Sequence, residues 1–183
     1  MEEEEGKKYD VFLSFYGEDS CRNFTENLFK VLKENGIKTY LKRGKAIAED
    51  LFKAIGESKS AIVVFSEEYA FSSWCLDELV RIDQCREENR LIVFPVFCDV
   101  DPSHLRKQNG KVKDAFDKYK ETFKDETQMV KKWREALTRT ANISGWHLKD
   151  YSIAISKECL FHVAFDSDDL NNHLLVAMLS FDC

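Results

Sequence analysis

Short apolar segments with strand character alternate with amphipathic helical segments along most of the chain. Residues 9–15, 61–65 and 91–97 read YDVFLSF, AIVVF and LIVFPVF, with apolar side chains at both odd and even positions. Strands that are apolar on both faces are typical of a parallel sheet covered by helices on two sides. The pattern therefore predicts an α/β fold, a doubly wound parallel sheet of about five strands.

Hydrophobic periodicity and punctuation predict the other elements. Phe24, Leu28 and Leu32 recur at helical spacing, and Gly36 follows as a C-terminal stop. We predict helices at 23–35, 49–57, from 72 onward, about 111–124 and 128–141, and shorter strands at 37–41 and 146–148. The segment 101–103 is predicted to begin a connection.

Length and charge limit the class of protein. The chain has 183 residues and a formal net charge of −6, which suits one domain with a full core and disfavours a protein that coats nucleic acid. A local basic group remains at Lys42, Arg43 and Lys45. The first residues are acidic and the longest apolar run, 91–98, is too short to span a bilayer. We therefore expect no membrane partner and a cytoplasmic or nuclear location.

The six cysteines form no CxxC pair, and no histidine stands at ligand spacing near them. A structural zinc site is therefore not expected. Cys75, Cys85 and Cys98 lie in apolar periodic segments and are interpreted as small core residues.

Composition shifts divide the chain into three parts. Residues 1–8 form a charged, largely acidic lead that we predict to be mobile. Residues 9–148 carry the alternating strands and helices and are predicted to form the domain. Residues 149–183 are richer in acids than in bases and are predicted to be a C-terminal extension, for which the residues indicate no role.

Polar residues follow the predicted strands. Tyr16 and Gly17 follow the first strand, Ser66 the third and Asp99 the fourth. Ligands of open α/β sheets bind beyond the carboxyl ends of the strands, so a site is expected at that edge. A phospho-receiver domain shares this topology but needs an acceptor aspartate after the third strand, where Ser66 stands.

The segment 72–79, SSWCLDEL, is the strongest candidate for that site. Ser72 and Ser73 are suited to cap a helix. Trp74 and Glu78 then fall at i and i+4 on one helical face, separate from the apolar stripe that includes Cys75. Off the buried face, the aromatic side chain would hold a ring of a ligand, and the carboxylate beside it would act on a bond next to that ring. The alternative is a solvated glutamate and a tryptophan that serves packing.

Several ordered motifs resemble the plant Toll/interleukin-1 receptor (TIR) domain of disease-resistance proteins. They are YDVFLSF with Gly17-Glu18-Asp19, AIVVFS at 61–66, SSWCLDEL at 72–79, PVF with DVDPS at 95–103, KWREAL at 132–137 and SGWHL at 144–148. The resemblance covers about residues 8–148 and implies a flavodoxin-like fold. It fits either a TIR-only chain or the N-terminal piece of a larger receptor.

The resemblance also implies an activity, because many plant members cleave NAD⁺ between nicotinamide and ribose. Glu78 matches the catalytic glutamate, and Trp74 and Ser72 match residues of the nucleotide pocket. Phe15, Tyr16 and Gly17 are expected to contact the substrate from the end of the first strand. NAD⁺ or NADP⁺ would be the substrate, no further cofactor or metal is required, and other TIR domains are the expected partners.

The chain departs from the family at places that bear on activity. Tyr16 replaces the usual arginine, the loop after the second strand is several residues shorter around 42–44, and Glu26-Asn27 replaces a Ser-His pair on the first helix. The first two departures favour an alternative function, a catalytically weak or inactive adaptor that acts by TIR–TIR contacts. Nucleic-acid processing is not favoured by the acidic composition.

Overall fold

The computed structural model describes residues 6–18, 21–42, 47–88, 90–124 and 127–148, and the backbone of the strands His162–Ala164 and Leu175–Ala177. Most of the predicted lead (1–8) and of the extension (149–183) lies outside these residues, so both remain predictions. So do Arg43 and Lys45 of the basic group.

Strands and helices alternate along the described chain, as predicted. In chain order they are β1 (Tyr9–Phe15), α1 (Arg22–Glu34), β2 (Thr39–Leu41), α2 (Ala48–Gly56), β3 (Ser58–Phe65), α3 (Ser73–Glu87), β4 (Ile92–Cys98), α4 (Pro102–Lys107), α5 (Gly110–Phe123), α6 (Gln128–Ala141), β5 (Trp146–Leu148), β6 (His162–Ala164) and β7 (Leu175–Ala177). A single 3₁₀ turn, Tyr69–Phe71, precedes α3.

The first five strands form one parallel sheet in the order β2-β1-β3-β4-β5, which confirms the predicted fold. Successive strands proceed to opposite sides of β1, so the order reverses between β1 and β3. The register pairs Leu13 with Leu41 on one side and Phe15 with Val64 on the other. A crevice opens at such a reversal, beyond the carboxyl ends of the strands. The end of β1 therefore borders that crevice.

The core lies in two layers, one on each face of the sheet. Val11 and Leu13 of β1 pack with Phe24 and Leu28 of α1 on one face. Phe12 points the other way and belongs to the larger layer, with α2, α3, α5 and α6. Alternate residues of β1 thus enter opposite layers, which explains why this strand is apolar at both odd and even positions.

A short helix, α4, stands where the sequence predicted only the start of a connection. Asp101 caps it by accepting a hydrogen bond from the Ser103 amide at 2.8 Å, and Pro102 occupies its first turn. Both features favour helix initiation. Six residues are too few to show a hydrophobic period, which is why periodicity missed the helix.

Cys98 is buried, as predicted, but it is not a lone core thiol. Its sulfur is bonded to that of Cys21, which lies 77 residues away in sequence. Cys21 stands just before α1 and Cys98 ends β4, so the bond joins elements that only the fold brings together. Cys75 and Cys85 are buried outside this disulfide.

Within the ranges given above, no helix is both long enough and apolar enough to cross a membrane.

Candidate functional site

The candidate site lies where α3 begins, beside the end of β1. The Ser72 hydroxyl accepts a hydrogen bond from the Cys75 amide at 3.2 Å and so caps α3, as the sequence predicted. Trp74 stands in the first turn and Glu78 one turn deeper. The cap and the helix period together set the two side chains on one side of α3.

Glu78 is buried, with only 3% of its surface exposed. The expectation that it lies off the buried face is therefore wrong. Its Oε2 accepts a hydrogen bond from the Ser14 hydroxyl at 3.1 Å, and the Lys42 ammonium lies 3.5 Å from Oε1. Burial raises the pKa of this carboxyl, although Lys42 and Ser14 oppose the shift by stabilising the charged form.

Trp74 remains at the surface, with 49% of its area exposed. The Lys42 ammonium lies 4.9 Å from the centre of its ring, within cation–π distance. Lys42 therefore contacts both the indole and the Glu78 carboxylate.

The hydroxyl groups of Ser14 and Tyr69 form a buried pair next to Glu78. Ser14 on β1 lies 2.9 Å from the Tyr69 hydroxyl, which also reaches the Cys75 carbonyl at 3.2 Å. Burial raises the pKa of Tyr69 well above its usual range, so this phenol stays protonated. Sequence reasoning missed Ser14 and Tyr69. The available signal was Ser14 itself, a polar residue inside an apolar strand and hence in need of a buried partner.

The end of β1 contributes the other predicted residues. Tyr16 is half-buried, and its hydroxyl donates a hydrogen bond to Glu18 at 3.2 Å. Desolvation and the Glu18 carboxylate raise the pKa of Tyr16. Phe15 and Gly17 flank it at the same edge of the sheet.

A cavity of about 1160 Å³ joins these features. Its wall includes every residue that the sequence nominated for the site: Phe15, Tyr16, Gly17, Ser72, Trp74 and Glu78. Lys42 also lines it, as do residues of α1 that include Arg22, Glu26 and Lys30. The structure thus brings the nominated residues together around one space.

A separate group of potential metal ligands comprises Cys21, Cys98 and Asp99. The two sulfur atoms are bonded to each other, so neither is available as the thiolate that binds metals. The group therefore indicates no metal centre.

Comparison with known proteins assigns the family. The TIR domain family profile matches residues 8–157. The chain belongs to the TIR domain family.

Its relatives are plant disease-resistance proteins. The TIR domain is 54% identical over 146 residues to disease resistance protein RPV1 of Vitis rotundifolia, a match that covers 78% of this chain and 10% of RPV1. It is 48% identical over 142 residues to TMV resistance protein N of Nicotiana glutinosa, covering 75% and 12% of the two chains. The chain thus spans roughly a tenth of the length of these relatives.

A solved structure shares the fold. The TIR domains of the activated Roq1 resistosome, which recognises the pathogen effector XopQ, superpose with a TM-score of 0.71 at 53% identity. The match covers 80% of this chain and 92% of that one.

Proposed function

We propose that this TIR domain releases nicotinamide from NAD⁺ or NADP⁺ in plant immune signalling, with Glu78 as the catalytic residue. The observation that carries the proposal is a buried carboxylate facing a large cavity beside an exposed indole. The product is ADP-ribose or a cyclic isomer of it, and the proposed site of action is the cytoplasm or nucleus.

The chemistry suits a single carboxylate. Cleavage of the nicotinamide–ribose bond builds positive charge on the ribose, as in glycoside hydrolysis. A preorganised anion close to that sugar stabilises the charge, and burial makes the interaction stronger than it would be in water. Nicotinamide leaves as a neutral molecule, so the leaving group requires no acid. A metal or further cofactor has no task in this scheme.

The other nominated residues supply binding. Trp74 offers a flat surface for a ring, and Tyr16 offers another at the end of β1. The cavity, at about 1160 Å³, exceeds the usual range for small-molecule sites of roughly 300–1,000 Å³, which leaves room for a dinucleotide. Arg22 and Lys30 of α1 line the cavity and pair with Glu26 and Glu34 in this structure, and their side chains are suited to contact phosphate.

The test is nicotinamide release from NAD⁺ by the purified chain, followed by chromatography. Glu78→Gln should reduce the rate at least 100-fold, about the effect of removing one preorganised electrostatic group. Asp77→Asn is the matched control, because this neighbouring carboxylate accepts a hydrogen bond from the Trp133 indole at 2.7 Å instead of facing the cavity. Full activity in Glu78→Gln would refute the assignment.

A second candidate is an adaptor that acts through TIR–TIR contacts. It is favoured by the likeness to the Roq1 resistosome TIR domains and by Lys42, which occupies the space between Trp74 and Glu78. Light scattering over a range of concentrations tests it. The adaptor is supported over the enzyme if the unchanged protein self-associates to the same extent as Glu78→Gln and releases no nicotinamide.

A further inference from the structure

We infer that Lys42 is the counter-ion of Glu78 in the substrate-free site, and that the positively charged nicotinamide ring of the substrate takes its place. Lys42 is then a positioning residue, since it acts through Glu78. The inference deepens the proposed function and rests on it for the identity of the substrate ring.

The geometry gives Lys42 two partners that both attract cations. Its ammonium lies 3.5 Å from Glu78 Oε1 and 4.9 Å from the centre of the Trp74 ring. The nicotinamide of NAD⁺ is a pyridinium with a full positive charge. An indole face and a carboxylate are what such a ring needs for binding. Lysine and pyridinium therefore compete for the same two groups.

The backbone explains how Lys42 reaches this position. Leu41 ends β2 and pairs with Leu13 of β1. Lys42 and Ser14 are the residues that directly follow this pair. Ser14 bonds Glu78, so the parallel register brings Lys42 to the same carboxylate. Its side chain is 28% exposed, so part of it already lies in solvent.

Several ionisable groups surround Glu78, and they act in different directions. Tyr69 from the 3₁₀ turn and Tyr40 from β2 are neutral phenols whose pKa values are raised by burial. Asp77 on α3 adds a like charge and raises the pKa of Glu78, whereas Lys42 is the largest charge effect that lowers it. Removing Lys42 should therefore shift the Glu78 titration upward.

Two opposite consequences follow for binding. At a pH high enough to ionise Glu78 with or without Lys42, loss of the competing ammonium should strengthen binding of a pyridinium. At a lower pH, where Glu78 is ionised only with Lys42 beside it, loss of Lys42 should leave the carboxyl protonated and weaken that binding. The affinity curves of the variant and the unchanged protein should therefore cross as a function of pH.

The experiment compares Lys42→Met with Lys42→Arg, which keeps the charge, in the complete chain. Carboxyl ¹³C NMR, with Glu78→Gln to assign the signal, follows the Glu78 titration. We expect an upward shift in Lys42→Met, because the largest nearby charge that favours the ionised carboxylate is removed, and no such shift in Lys42→Arg.

Quenching of tryptophan fluorescence by 1-methylnicotinamide, a pyridinium, measures binding, and neutral nicotinamide serves as the matched ligand. At pH 8.5, roughly four units above the pKa of an ordinary glutamate, Lys42→Met should bind the pyridinium about tenfold more tightly. Binding of neutral nicotinamide should stay within about twofold of the unchanged protein. Trp74→Phe identifies the signal that comes from the site.

An unmoved Glu78 titration, or an equal gain for both ligands, would overturn the inference. If Lys42→Met fails to fold, Lys42→Gln takes its place under the same criteria. Neither measurement needs turnover. A chain that passes both tests but releases no nicotinamide would thus disprove the proposed reaction while leaving the counter-ion role of Lys42 intact.

Discussion

Two buried carboxylates on α3, those of Asp83 and Glu78, differ in how fully neighbouring cations compensate their charge. Asp83 is 2% exposed and is held by two arginines: Arg139 donates to Oδ2 from Nε and Nη2 at 2.7 Å, and Arg86 reaches Oδ1 at 3.0 Å. Glu78 is equally buried but has one lysine at 3.5 Å, one serine hydroxyl and an open cavity.

The difference separates a structural charge from a reactive one. Arg139 lies on α6, so the Asp83 cluster ties α3 to α6 and leaves little of its charge uncompensated. Glu78 retains capacity to interact with a further cation. A buried charge that the protein does not fully neutralise is a better functional candidate than one that it does.

The largest expected effect on stability comes from Asp83→Asn. Two arginines would lose their carboxylate, and we expect the free energy of unfolding to fall by about 2–3 kcal/mol. This loss of unfolding free energy is smaller than the loss expected when a fully buried ion pair is broken, because both arginines keep part of their surface in water. Urea unfolding measures it, and nicotinamide release per folded molecule should stay within about twofold. A stable variant would show that the Asp83 cluster is not structural.

Ser14→Ala sharpens the description of Glu78. It removes the hydroxyl that stabilises the charged carboxylate, so the pKa of Glu78 should rise and the acidic limb of the kcat/KM profile should move to higher pH. We expect about a tenfold loss at neutral pH, the value of one hydrogen bond to a charged group. Ser60→Ala is the matched control, since its hydroxyl donates to the Asp10 carbonyl on the same sheet. An unchanged pH profile would contradict the role of Ser14.

Glu78→Gln should raise stability, unlike Asp83→Asn. The pKa of Glu78 is raised in the folded chain, so the fold disfavours the ionised form and takes up a proton more readily than the unfolded chain. The gain from glutamine is therefore full above the raised pKa and disappears as pH falls below the unfolded value. Thermal scans at pH 8 and pH 4 should show a gain of a few degrees, about the equivalent of 1 kcal/mol, only at the higher pH. A loss of stability at pH 8 would contradict this.

The smallest effect is expected for Glu87→Gln. Glu87 also pairs with Arg86 but is largely exposed, so solvent screens the pair and the change should stay within about 0.5 kcal/mol. Urea unfolding beside Asp83→Asn compares an exposed with a buried partner of Arg86, the buried one being held by Arg139 as well. Equal losses would mean that burial is not the deciding factor.

Much of the fold could be predicted from the sequence because it depends on local patterns of residues. β1 matches its predicted bounds, and the helix at 128–141 was placed to the residue. The Ser72 cap and the i, i+4 relation of Trp74 and Glu78 were also correct, since both depend on residues within two turns. α4 was missed because it is shorter than the period that reveals a helix.

The site was only partly accessible. The edge of the sheet and its six nominated residues followed from strand ends and from family resemblance. The burial of Glu78 was not predicted, because helical spacing gives the direction of a side chain but not its depth against β1. The disulfide between Cys21 and Cys98 escaped for a related reason, since a separation of 77 residues leaves no local trace.

The order of the strands and of the longer helices, and the face that Trp74 shares with Glu78, follow from the sequence alone, because they depend on the hydrophobic period of each segment. The charge state of the site, by contrast, is set by tertiary contacts. That state depends on which residues of β1, β2 and α3 meet, and the register between parallel strands, distant in the chain, is what brings Ser14 and Lys42 to one buried carboxylate.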